Sequence, residues 1–135
     1  MFPHGYEEID HTADLAMKVW GEDLQTLLRQ AAKGLYELMG VKIDPDSSVQ
    51  DEFSIGAGSE EIILVDFLNE VLFLAEDKRL HFDDFIFTET SQALLVSAAG
   101  HSVASLTREV KAATFHDLAI RRTAEGMETT LTFDI

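Results

Sequence analysis

The feature that most constrains the fold is a run of apolar residues between Ile62 and Ala75 that would cover most sides of a helix. Such a helix must be buried by other elements, because little of its circumference can face water. Ser59 stands before the run as an N-cap, and Glu60 and Glu61 follow where the helix dipole favours anions. The pattern therefore predicts a central buried helix.

One side of this helix is polar. Its stripe consists of Asp66, Asn69, Glu70 and Asp77, and Phe73 lies within the stripe. An aromatic residue in such a stripe is typical either of a contact with a partner or of a partly covered core position. The sequence leaves both interpretations open.

A one-sided apolar stripe predicts another helix upstream, which Asp23 would cap and Gly40 would end. The apolar residues of the stripe recur three or four apart: Leu24, Leu27, Leu28, Ala31, Leu35 and Leu38. Period-two alternation and turn residues predict strands elsewhere, at Tyr6–Ile9, Leu15–Trp20, Val49–Ile55, Phe82–Thr90, Ala93–Ala99, Val110–Thr123 and Glu128–Asp134. We therefore expect an α+β fold, with two helices packed on a mostly antiparallel β-sheet in a single compact domain over residues 1–135.

The composition narrows the possible partners. The chain has 25 acidic and 10 basic residues, a net charge of −15, so it should repel nucleic acid and anionic membranes and attract cations or basic protein surfaces. With no cysteine, it has no thiolate metal site or cysteine nucleophile. No signal peptide or membrane-spanning run is visible, which favours a cytoplasmic protein.

Three polar clusters are candidates for chemistry: residues 10–14, residues 111–117 and the end of the chain, residues 131–135. The first is also typical of a structural turn, and a lone Lys or His in the second is commonly just solvated. In the third, the Asp134 carboxylate adjoins the α-carboxylate of Ile135, and such a pair needs a compensating cation or donor. With Asp14 they could form an oxygen-only site for Ca²⁺ or Mg²⁺, although the pattern does not show that they meet.

Four segments together resemble the archease family. They are Tyr-Glu-Glu-Ile-Asp-His-Thr-Ala-Asp at 6–14, Ile-Leu-Val-Asp-Phe-Leu-Asn-Glu at 63–70, Lys-Ala-Ala-Thr-Phe-His at 111–116 and Phe-Asp-Ile at 133–135. Their order and spacing cover essentially the whole chain. The sequence is similar to that family throughout, and no single segment carries the resemblance.

The resemblance implies a divalent-cation site and a functional lysine. Asp14, Asp134 and the terminal carboxylate of Ile135 would hold Ca²⁺ or Mg²⁺. Lys111 matches the family's functionally important lysine beside that site. On the same grounds His11 and His116 are expected to line the pocket.

The resemblance also implies a protein partner, the GTP-dependent 3′-phosphate RNA ligase of tRNA splicing and RNA repair. An archease promotes guanylylation and multiple turnover of that ligase, so this chain is expected to be an activator with no catalytic residues of its own. Two alternatives remain. One is a metal-dependent phosphoester hydrolase with a histidine base; the other is an acidic, chaperone-like interaction module whose carboxylates are simply solvated.

Overall fold

The computed structural model describes residues 3–9 and 15–135. In chain order these residues form β1 (Gly5–Ile9), β2 (Leu15–Gly21), α1 (Leu24–Met39), β3 (Lys42–Ile43), β4 (Val49–Gly56), α2 (Glu60–Glu76), β5 (Leu80–Glu89), β6 (Ala93–Ser105), β7 (Ala112–Thr114), β8 (Arg121–Thr123) and β9 (Gly126–Asp134). None of the helices in this described part is long and apolar enough to cross a membrane.

The strands form two antiparallel sheets. The first has the order β1-β2-β9-β7, and β8 also pairs with β9. In the second, the long strand β6 pairs with β3, β4 and β5. Both helices pack on both sheets and on each other. The predicted α+β fold, with helices on mostly antiparallel strands in one compact domain, is confirmed, although the strands divide between two sheets.

Helix α1 begins and ends where its local sequence predicts. The Asp23 carboxylate accepts a hydrogen bond of 2.8 Å from the Thr26 N–H, and these contacts with Thr26 hold the Asp23 pKa below its ordinary value. Gly40 ends the helix with a φ of 62°, a conformation that glycine adopts without a Cβ penalty. The buried face of α1 includes Leu27, Leu28 and the other residues of the predicted stripe except Leu24, which is half-buried.

Helix α2 is the buried helix that the apolar run predicts. Ser59 Oγ caps it by accepting from the Ile62 N–H at 3.2 Å. Phe67, which is fully buried, packs edge-on against Phe85 and Phe87, with ring centroids 5.4 and 5.6 Å away. This aromatic cluster fixes α2 against the second sheet.

The strand predicted at Val110–Thr123 is wrong as a continuous element. Only its two ends, β7 and β8, pair with β9, and residues 115–120 leave the sheet between them. The Leu118 N–H donates to the Phe115 carbonyl in a turn, where Asp117 has a φ of 51°. Asp tolerates this left-handed conformation better than most residues, so the turn interrupts the alternating pattern.

Candidate functional site

The Asp134 carboxylate, one of the predicted cation ligands, lies at the C-terminal end of β9. Leu131 and Phe133 are fully buried, as alternation along the strand predicts, whereas Asp134 is exposed. Ile135 follows the strand with a side chain that is 53% exposed. Asp134 and Ile135 are therefore both exposed to solvent.

Strands β2 and β7 flank β9 at this end. Leu15 of β2 pairs with Phe133, and Ala112 of β7 pairs with Asp134. The Lys111 N–H donates to the Asp134 carbonyl at 2.8 Å. The structure therefore places two of the predicted site residues, Lys111 and Asp134, side by side through a backbone hydrogen bond.

The Lys111 side chain is exposed. Within residues 3–9 and 15–135 its ammonium has no ion-pair partner. A cation with no internal partner remains available to an anionic group of another molecule.

Asp14 and His11 lie outside the described residues. In the part of the chain that is described, no group of three or more His, Asp or Glu side chains could hold a metal ion. The exposed Asp134 carboxylate supplies oxygen donors of the kind that Ca²⁺ and Mg²⁺ prefer, but one such group forms only part of a coordination shell. The metal site remains a prediction that needs Asp14.

His116 lies beyond the far end of β7. That strand runs antiparallel to β9, from Ala112 opposite Asp134 to Thr114 opposite Thr132, so it leads away from Asp134. His116 Nε2 lies 3.3 Å from the carboxylate of its exposed neighbour, Asp117. Its role in lining the pocket stays a prediction.

Asn69 on α2 holds β7 in place, a role that the sequence does not reveal. Its side-chain nitrogen donates to the Ala113 carbonyl at 3.2 Å, and its side-chain oxygen accepts from the Ala113 N–H at 2.8 Å. Asn69 thus satisfies the outer edge of β7 as a neighbouring strand would. The sequence marks the position only by an amide side chain in the polar stripe of an otherwise apolar helix, and it does not indicate the partner of that amide.

Asn69→Ala is expected to lower the free energy of unfolding by about 1–3 kcal/mol, because the Ala113 N–H and C=O lose their partners in a half-buried place. Urea unfolding followed by circular dichroism measures the loss. Asp66→Ala, at an exposed position of the same helix, should stay within about 0.5 kcal/mol of the wild type. Equal stability of the two variants would contradict a structural role for the Asn69 amide.

Two carboxylates of α2 hold the same stretch of chain, residues 110–122, which we call the strap. Glu76 accepts from the Val110 N–H at 3.3 Å, and Glu61 accepts from the Ile120 N–H at 3.1 Å. The strap therefore lies along α2 and is attached by helix side chains at both ends and, through Asn69, between them. Burial, followed by repulsion from Glu109 and Asp77, raises the Glu76 pKa, while the Val110 N–H opposes the rise.

Glu76→Gln is expected to stabilise the protein above pH 4.5 and to have little effect below it. A raised pKa in the folded state means that the Glu76 contribution is complete at low pH and is lost as pH rises through that raised value. Glutamine keeps an acceptor for the Val110 N–H without the charge. The difference in unfolding free energy between the wild type and Glu76→Gln is measured across the acidic pH range. Burial is the main cause of the raised Glu76 pKa, so the difference in unfolding free energy between the two proteins should persist in high salt. If the difference disappears in high salt, repulsion from Glu109 and Asp77 is its cause.

Exposed charged residues lie together where β9 ends. These are the Lys111 ammonium, which has no ion-pair partner within residues 3–9 and 15–135, the exposed Asp134 carboxylate and the adjacent Ile135. The chain is thus a small α+β protein that carries exposed charged residues where β9 ends.

Comparison with known proteins identifies the family. The sequence pattern of the Archease protein family (MTH1598/TM1083) matches residues 6–135. Protein archease of Methanopyrus kandleri is 33% identical over 132 residues, which cover 87% of this chain and 89% of that protein. Protein archease of Methanosarcina barkeri is 29% identical, with 96% and 95% covered. The chain belongs to the archease family.

Solved structures share the fold. The solution structure of Methanobacterium thermoautotrophicum protein 1598 superposes with a TM-score of 0.72 at 23% identity, covering 97% of this chain and 99% of that one. The crystal structure of a Thermotoga maritima archease, described as a possible chaperone, superposes with a TM-score of 0.71 at 25% identity, with 96% of each chain covered.

Proposed function

We propose that this protein is a metal-carrying activator of a GTP-dependent 3′-phosphate RNA ligase and does not itself join or cleave RNA. The observation that carries the proposal is the backbone hydrogen bond that joins Lys111 to Asp134 where β9 ends, in a chain of the archease family. Both residues are among those that the family resemblance marks as functional.

The metal site would consist of Asp14, Asp134 and the α-carboxylate of Ile135. The register supports this set, because Leu15 pairs with Phe133. Asp14 directly precedes Leu15 in the sequence, just as Asp134 directly follows Phe133. A bound Ca²⁺ or Mg²⁺ would supply positive charge for phosphate oxygens of the ligase's nucleotide.

Lys111 would add a second positive charge at the same place. Its backbone is fixed to β9 by the bond to the Asp134 carbonyl, while its side chain is exposed and without an internal partner in the described structure. A charge positioned in advance stabilises the anionic groups of a guanylyl transfer without reorganisation. Lys111 therefore acts on the ligase's reaction, and the chemistry remains the ligase's own.

The net charge of −15 supports a protein partner over direct binding to RNA. A polyanion is repelled by RNA phosphates and attracted by the basic surface of an RNA-binding enzyme. Complementary charge of this kind mainly accelerates association.

A multiple-turnover ligation assay tests the proposal. It combines the cognate ligase, GTP, a divalent cation and RNA ends carrying 3′-phosphate and 5′-hydroxyl, with or without substoichiometric amounts of this protein. We expect faster ligase guanylylation and many more ligations per ligase molecule when the protein is present. No effect at any concentration would remove the activator role, and phosphoester hydrolysis by the protein alone would favour an enzyme.

A second candidate is a chaperone-like module, which the description of the Thermotoga maritima relative favours. Under that function the protein would protect the ligase from aggregation without acting on its guanylylation. Measuring the first single turnover separates the two, because a chaperone leaves its rate unchanged when the ligase is fully folded.

A further inference from the structure

The outward side of α2 carries an acidic, apolar surface that the candidate site does not use. We call this surface, formed by Ile62, Asp66, Glu70 and Phe73, the α2 face. These residues recur three or four apart and so form a single stripe along the helix. Ile62 is 42% exposed and Phe73 is 45% exposed, whereas the other large apolar residues of α2 are buried, apart from the half-buried Ile63.

The α2 face carries negative charge. Helix α2 has five carboxylates and no Lys, Arg or His. Three of the five are engaged with the strap: Glu60 with Arg122 at 2.7 Å, Glu61 with the Ile120 N–H and Glu76 with the Val110 N–H. The carboxylates of the α2 face, Asp66 and Glu70, have no ion-pair partner within the described residues.

The α2 face is continuous with the candidate site. Phe73 lies one helical turn from Asn69, whose amide holds both polar groups of Ala113. Ala113 is in β7 beside Ala112, which pairs with Asp134. A partner that covered the α2 face would therefore also reach the strand next to Lys111.

We propose that the α2 face is the docking surface for the basic RNA ligase, an inference that rests on the proposed function. Phe73 and Ile62 would enter an apolar depression on the ligase, and Asp66 and Glu70 would meet Lys or Arg side chains around it. A partly exposed aromatic surrounded by charge is typical of a residue that contributes strongly to binding. Carboxylates without internal partners can pair with a partner's cations without breaking contacts in this fold.

A binding measurement with the intact protein and the ligase tests this inference. The double variant Ile62→Ala Phe73→Ala should raise the Kd for the ligase about 10- to 50-fold, because truncating central apolar contacts removes most of their binding energy. Asp66→Lys should also weaken binding, and its effect should shrink as salt rises. Ile86→Ala is the matched control: Ile86 is 61% exposed, but it lies on β5 of the second sheet. It should leave the Kd unchanged.

Turnover distinguishes docking from activation. At saturating concentration the Ile62→Ala Phe73→Ala protein should regain wild-type stimulation, since Lys111 and Asp134 are intact. Thermal unfolding checks that the variant is folded. If the wild type binds and activates the ligase while both the double variant and Asp66→Lys bind equally well, the docking surface is overturned and the activator role stands. If the wild type neither binds nor activates, both proposals fall.

Discussion

Asp134→Ala is expected to abolish cation binding and, with it, stimulation of the ligase. Loss of an outer-shell group alone costs about 10- to 100-fold in metal affinity, so loss of a proposed ligand should exceed about 100-fold. Calorimetric titration with Ca²⁺ and with Mg²⁺ measures the affinity, and the ligation assay measures the function. The core should be unaffected, because Asp134 is exposed and its backbone bond from the Lys111 N–H is retained.

Glu89→Ala provides the matched control, since Glu89 is an exposed carboxylate at the end of β5 in the other sheet. It should bind cation and stimulate the ligase like the wild type. Addition of Gly-Ser after Ile135 is the complementary test, because it moves the free α-carboxylate while leaving each side chain in place. Normal cation affinity in the Asp134→Ala protein would exclude Asp134 as a ligand, and normal affinity in the extended protein would exclude the α-carboxylate of Ile135.

Lys111→Ala is expected to reduce stimulated guanylylation by about 100-fold or more, the usual cost of losing a positioned electrostatic group. Cation binding should persist and tighten slightly, because removal of a nearby positive charge favours a metal ion. Single-turnover guanylylation at saturating protein concentration measures the rate. The substitution keeps the backbone N–H that binds Asp134, so the fold should be preserved.

Lys33→Ala is the control for this experiment, because Lys33 is an exposed lysine on α1. It should support full stimulation. Lys111→Arg keeps the charge but changes the number and geometry of the donors, so we expect partial activity. A Lys111→Ala protein that stimulates guanylylation normally would confine the active group to the carboxylates or to the α2 face.

The helices could be predicted from the sequence because their signals are local. Asp23, Gly40 and Ser59 mark helix ends through contacts with residues three or four positions away. The spacing of apolar residues in α1 and α2 predicts which sides of each helix are buried. These features do not depend on how distant segments meet, so a single sequence was enough.

The path of the strap could not be predicted, because it depends on contacts between distant segments. Its alternating residues favour one long strand, but Asp117 turns the chain out of the sheet and α2 side chains replace the missing strand contacts. The bond between Asn69 and Ala113 joins residues 44 positions apart. Nothing in the local sequence around either residue specifies that contact.

The site was predictable in part. Alternation along the last strand indicates that Asp134 faces away from the core, and the family resemblance marks Lys111. That Lys111 lies against Asp134 follows from the register of β7 on β9, which depends on packing across the whole domain. The sequence therefore indicates which residues to consider, and the tertiary structure brings two of them together.

The attachment of the strap through side chains gives the protein three natural reporters. The amide protons of Val110, Ala113 and Ile120 are bonded to helix carboxylates or an amide instead of to another strand. Their exchange with deuterium therefore depends on how firmly the strap rests on α2. A molecule that binds α2 and holds the strap more firmly should slow the exchange of all three amide protons together. Their exchange rates therefore report whether α2 is occupied, although the three amides lie away from the bound surface.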